Sequence, residues 1–144
     1  MSRRDGSAIL SLQFSHCADS IQAPKWRLIK GRKRFTRHFP SRMQVHMQWA
    51  NGEEEEHAIR HAGDGASRVF FSCEDPSVRY GFKFGEMSYA QNDNRQEMEE
   101  FQCLPEGFTP KVFGYLETSV FDLEVHVLIV EKGDPSPRSP PVLA

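Results

Sequence analysis

The sequence predicts an α+β domain, in which hairpin-connected strands form an antiparallel sheet that carries one helix. Three observations point that way. Short stretches alternate apolar and polar residues with a period of two, the signature of half-buried strands. Turn chemistry such as Asn51-Gly52 and Glu74-Asp75-Pro76-Ser77 separates them. One segment alone, Asn92 to Leu104, has helical spacing, with Asn92 or Asn94 as N-cap and Pro105 and Gly107 at its end. At 144 residues the chain has room for one domain with tails. Its hydrophobic content of 38% is below the usual share for a compact domain, and nine of its eleven Phe lie between Phe35 and Phe113, so the core belongs to the middle of the chain. Three parts follow: a basic N-terminal extension over 1–42, a folded lobe over 43–133 and a Pro/Ser-rich disordered tail over 134–144.

Within the lobe, Met43, Val45, Met47 and Trp49 alternate with Gln44, His46 and Gln48, and Asn51-Gly52 turns the chain into a returning strand over Glu53 to His61 with its acids toward water. Arg68 to Cys73 is a short apolar strand, and Val78 to Phe84 follows it across a turn. Val78, Tyr80, Phe82 and Phe84 share one face of that strand, and Arg79, Gly81 and Lys83 the other. On the helix, at about 100° per residue, Phe101 and Leu104 bracket the direction of Glu97, which places that acid inside the apolar arc. Lys111 to Leu116 and Phe121 to Glu131 are the last strands. Phe121, Leu123, Val125, Val127 and Ile129 line one face of the final one, while Leu128 and Val130 make the other apolar as well, as in a central strand covered on both sides. In the extension, Ala8 to Phe14 and Trp26 to Arg34 are open to two readings, short added strands or a mobile leader.

The net charge of -2 conceals an uneven split. Residues 1–50 carry ten Lys or Arg against two Asp, and the remainder carries eight against eighteen acids. The basic run Lys25 to Arg34 suits an acidic protein, RNA or an anionic membrane surface, or balances the acidic half. Cys17, Cys73 and Cys103 are odd in number and form no Cys-x-x-Cys pair, which predicts free thiols and an intracellular, cytoplasmic setting. The acid-poor, Arg-rich start also fits an organellar presequence. No apolar run approaches the roughly 18 residues of a membrane span. His57 and His61 stand four apart, but Ala58 occupies the place of the Glu in a His-Glu-x-x-His metalloprotease, so no metal site is predicted. Ser136-Pro137 and Ser139-Pro140 have the form of proline-directed phosphorylation sites in a tail that needs no such role.

The chemistry lies in the order of the pieces. Gly63-Asp64-Gly65-Ala66-Ser67 lets backbone amides approach a phosphate unobstructed by Cβ atoms, although such a run also serves as a plain hairpin turn. Lys83 in an aromatic strand is costly to bury without an anion, and Glu97 on an apolar arc is costly without a cation. Each satisfies the other.

From about Ile59 to Asp134 this order resembles the small lobe of the protein-kinase-like superfamily, including its aminoglycoside and choline phosphotransferase relatives. Gly63-x-Gly65-x-x-Arg68 is similar to the glycine-rich loop, Tyr80-Gly81-Phe82-Lys83-Phe84 to the lysine-bearing strand, and Asn94 to Leu104 to the helix with its acidic partner. Pro110 to Tyr115 resembles the strand after that helix, and Leu128 to Gly133 the strand that enters the hinge. The resemblance implies a twisted five-stranded antiparallel sheet with the helix packed on one face. It implies weak binding of ATP with Mg, in which Gly63, Gly65 and Ser67 cradle phosphate and Lys83 contacts the α and β phosphates. Glu97, with Glu100 as second choice, pairs with Lys83, and the backbone of Glu131, Lys132 and Gly133 holds adenine.

The sequence departs from that pattern in two places. Arg68 replaces the third glycine, and the eleven residues after Gly133 contain no His-Arg-Asp loop, metal-binding Asn or Asp-Phe-Gly, which phosphoryl transfer in this family requires. The expectation is therefore an isolated or truncated lobe whose partner is the missing large lobe and which does not catalyse alone. The rival reading is a small β-rich interaction module, with Lys83 and Glu97 as a structural ion pair and the strip from Lys25 to Arg42 as its working surface.

Overall fold

The computed structural model describes residues 8–17, 39–65, 68–88, 91–103 and 111–132. Seven strands are present among them: β1 (Ile9–His16), β2 (Arg42–Trp49), β3 (Glu54–Asp64), β4 (Arg68–Cys73), β5 (Tyr80–Glu86), β6 (Val112–Val120) and β7 (Leu123–Glu131). One helix, α1 (Asp93–Cys103), lies between β5 and β6. All strands belong to one antiparallel sheet in the order β1-β2-β3-β4-β5-β7-β6.

This corrects the expected α+β fold with a five-stranded sheet and a packed helix: the described residues are mostly strand, in seven antiparallel strands with one short helix. The two edges of the sheet also meet: Thr118 Oγ1 on β6 donates to the Leu12 carbonyl on β1 at 3.4 Å. Gly114 on β6 lies so close to β1 that an added Cβ would sit 2.7 Å from Ile9 Cγ2. The sheet is thus curled into a nearly closed barrel. The reason is the apolar face that β1 and β2 bring. Ile9, Leu12, Met43, Val45, Met47 and Trp49 are all buried, and curling the sheet lets them pack against β4, β5 and β7 without a second layer. The expected helix layer does not do this work, since α1 buries only Asn94 completely and lies on the outer face.

The interior is aromatic. Trp49, Phe71, Phe82 and Phe84 are fully buried, and Phe39 packs against Phe71 and Phe84 with centroids 5.7 and 5.2 Å apart. Asn51-Gly52 forms its hairpin, with Gly52 at φ 93° and its amide donating to the Trp49 carbonyl at 3.0 Å. The turn between β6 and β7 falls elsewhere than the sequence pattern suggests. Phe121 and Asp122, at φ 47° and 74°, form it, so β7 begins at Leu123, and two consecutive positive φ values suit the twist of a tight hairpin. Phe121 stacks on His16 at 4.3 Å, so its apolar ring is used in the turn and not in the strand. The helix stop at Leu104 to Gly107, the run Trp26 to Arg34 and the Pro/Ser tail lie outside the described residues.

β7 is covered on both faces, as its sequence implies: Val125, Val127 and Ile129 point inward, and His126, Leu128 and Val130 are buried on the outer side. Gly85 on β5 pairs in register with His126, and a Cβ at Gly85 would lie 2.0 Å from His126 Cε1. Gly85→Ala is therefore expected to destabilise the fold by about 1–3 kcal/mol in urea unfolding. Gly63→Ala, whose Cβ meets nothing within 4 Å, is expected to stay within about 0.5 kcal/mol of the parent. Equal stability of the Gly85→Ala and parent proteins would contradict this register.

Candidate functional site

The outer face of the sheet gathers the charged residues. Alternation on β5 sends Gly81, Lys83 and Gly85 outward, and on β4 it sends Arg68, Phe70 and Ser72 to the same side. Register places Phe70 opposite Lys83 and Arg68 opposite Gly85. The helix α1 crosses this face. Asn92 caps it, with Oδ1 accepting from the Arg95 amide at 2.8 Å, and its Nδ2 donates to the Tyr115 hydroxyl at 2.8 Å.

Asn94 fixes the helix to the sheet. Wholly buried, its Nδ2 donates to the Lys83 carbonyl at 2.7 Å and the His126 carbonyl at 3.1 Å and lies 2.8 Å from His126 Nδ1. Its Oδ1 accepts from Arg68 Nη1 at 3.0 Å. One turn on, Glu97 faces the same way. Its carboxylate accepts from Lys83 Nζ at 2.9 Å on Oε1 and 2.7 Å on Oε2, and from Arg68 Nη1 at 2.7 Å on Oε1. The three side chains are 13% (Lys83), 21% (Glu97) and 24% (Arg68) exposed, so water screens the cluster only in part.

The charges set the protonation of the cluster. Burial alone would raise the Glu97 pKa, but hydrogen bonds from Lys83 and Arg68, with their positive charges, outweigh it and hold the carboxyl below its usual 4.5. Burial pushes His126 below its usual 6.5, so the ring is neutral near pH 7. Two cations share one carboxylate, and the cluster keeps a formal surplus of one positive charge.

A cavity of about 550 Å³ opens beside Lys83, with Phe70, Gly81, Val130, Glu131 and Lys132 among its lining residues. That size suits a small organic molecule. Phe70 is 40% exposed at the rim, and Lys83 Nζ sits 5.1 Å from its ring centroid. The cavity runs from Lys83 along β5 to Arg79, about 13 Å of strand. At that far end the Lys132 amide donates to the Arg79 carbonyl at 2.6 Å and the Glu131 amide to the Lys111 carbonyl at 2.8 Å. The Glu131 and Lys132 amides, part of the backbone that the resemblance assigns to adenine, are thus engaged within the chain, and a ligand there meets the side chains of Glu131 and Lys132. Gly133 lies outside the described residues.

Gly63 lies near the end of β3, and the Gly65 amide donates to the Arg68 carbonyl at 2.7 Å. Ser67 lies outside the described residues. Glu100, the second choice of partner for Lys83, is exposed. His57 and His61 occupy a strand and bind carboxylates, Glu55 at 2.8 Å and Asp64 at 2.7 Å. No group of three metal-ligating side chains occurs among the described residues. Cys17 and Cys73 are buried free thiols and Cys103 an exposed one. Burial pushes the Cys73 thiol up to about 12. No described helix is long and apolar enough to cross a membrane.

Sequence reasoning offered Asn94 only as an alternative N-cap, a place that Asn92 takes, and missed its contact with the sheet, His126 and the role of Arg68. A signal existed for two of them. Asn94 precedes Glu97 by three residues and so shares its face, and His126 interrupts an apolar strand that needs a glycine partner to accommodate the ring. Comparison of the chain with protein-family models, with curated proteins and with solved structures finds no match.

Both shifted groups make stability depend on pH in the same direction. Because the folded His126 binds a proton less readily than the unfolded chain, its contribution is complete above about 6.5 and declines as the pH falls below it. The contribution of Glu97 is present above about 4.5 and is lost as the pH falls through its lower folded value, a range it shares with Glu74. Urea midpoints measured from pH 8 to pH 3 should therefore fall in two stages, and His126→Gln should flatten the first. A His126→Gln protein that keeps the whole decline between pH 6.5 and 5 would show that the imidazole is not its source.

Proposed function

We propose that the chain binds a nucleotide polyphosphate, ATP with Mg, weakly, with the base in the cavity and the phosphates at Lys83. The observation that carries this is the Lys83 ammonium, held by both oxygens of Glu97 at the border of a cavity of about 550 Å³. An ammonium fixed in this way loses little freedom when an anion arrives, and the surplus positive charge of the cluster favours one. Phe70 offers an aromatic face at the rim, a surface on which bases stack at little cost in sequence preference. The Mg would arrive bound to the phosphates, the usual arrangement for this ion. The order of the glycine run, Lys83, Glu97 and the strand ending at Glu131, similar to that of a protein-kinase-like small lobe, supports the same reading.

One observation favours a second, purely structural reading. Arg68 and Asn94 join the same cluster, so the ion pair also pins α1 to the sheet. The reading as an interaction module rests on the strip from Lys25 to Arg42, whose residues up to 38 lie outside the described set, while Arg42 pairs with Glu74. Calorimetric titration with ATP and Mg should give a heat of binding at millimolar ligand, and Lys83→Met should weaken it at least tenfold, about 1.4 kcal/mol. No heat at that concentration removes the binding proposal. Equal affinity in Lys83→Met would leave the lysine with its structural role only.

A further inference from the structure

We infer that Arg68 reads the length of the phosphate chain, taking the phosphate beyond those at Lys83 and making the site prefer triphosphates to monophosphates. This rests on the reading of Lys83 as a phosphate contact and adds a specificity-determining residue to it. Placement is the first argument. Arg68 is the diagonal neighbour of Lys83 across β4 and β5, about 7–8 Å away. It stands on the side of Lys83 opposite to Arg79 and Lys132, where the cavity ends. A ligand with its base over Gly81 and Val130 and its phosphates at Lys83 continues toward Arg68.

The second argument is the use of donors. Lys83 spans both oxygens of Glu97. Arg68 commits only Nη1, which reaches Glu97 Oε1 and Asn94 Oδ1. Its Nε and Nη2 make no hydrogen bond among the described residues, and no buried side-chain nitrogen is left without a partner, so these donors face solvent. A guanidinium anchored at one nitrogen with a second edge free is arranged for two parallel bonds to a phosphate. One carboxylate cannot neutralise both cations, and the surplus charge lies on this side of the pair. Arg68, which departs from the glycine expected at its position, thus supplies a charge where a backbone cradle was anticipated.

The test is calorimetric titration of ATP, ADP and AMP, each with Mg, into the parent, Arg68→Gln and Arg68→Lys proteins. The parent should bind in the order ATP, ADP, AMP. Arg68→Gln should lower the ratio of ATP to AMP affinity about tenfold, and Arg68→Lys, which keeps the charge without the fork, should lower it less. The ratio is taken on one preparation, so a reduced folded fraction cancels; if Arg68→Gln does not fold, the smaller drop in Arg68→Lys carries the test. An unchanged ratio in the folded variants, with the parent binding ATP, overturns the assignment of Arg68 and leaves Lys83 untouched. A parent protein that binds none of the three overturns the nucleotide reading itself.

Discussion

The carboxylate of Glu97, shared between Lys83 and Arg68, is the interaction on which the outer half of this structure depends. The helix α1 has little apolar surface to bury, and the only residue it buries completely is an asparagine. Its position therefore comes from polar contacts of defined geometry: Asn94 to two backbone carbonyls and the His126 ring, and Glu97 to two cations. A half-buried ion pair is weak evidence for stability, because desolvation offsets much of the attraction. Its value is positional. It fixes where the helix crosses the sheet and holds the Lys83 ammonium at the border of the cavity.

The two faces of the sheet have separate duties. The inner face, closed by the approach of β1 to β6, is a dense aromatic core that keeps β4, β5 and β7 in register. The outer face is where small residues make room. Gly85 accommodates His126, and Gly81 leaves space in the cavity between Phe70 and Val130. A site built on strands stiffened from behind is better defined than one built on loops. The barrel and the cleft thus belong to one design, since the strands whose inward side chains form the core carry the charged cluster on their outward side.

Much of this was legible in the sequence. Alternation located β2, β4, β5 and β7, because in each a single apolar face alternates or the run is continuous, and Asn51-Gly52 located a hairpin. The inward acid of α1 followed from helical period, and the outward lysine of β5 from strand period. Closure of the barrel was not legible. It depends on pairing between β1 and β2, which are separated by a long stretch of chain, and on the contact of β1 with β6, about a hundred residues apart; no local pattern encodes either. The Phe121 turn was hidden because an aromatic residue at positive φ imitates the start of a strand. The roles of Asn94 and His126 were hidden because each is an ordinary polar residue until the other is beside it. Arg68 read as a lost glycine, and only the geometry shows it as a second partner for Glu97.

The most direct test of this account is an experimentally determined structure of the protein with ATP and Mg. The account predicts phosphate oxygens within hydrogen-bond distance of Lys83 Nζ, the base between Phe70 and Val130, and Glu97 still bound to Lys83. Phosphates bound at a different group of basic residues, with the cavity beside Lys83 empty, would contradict it.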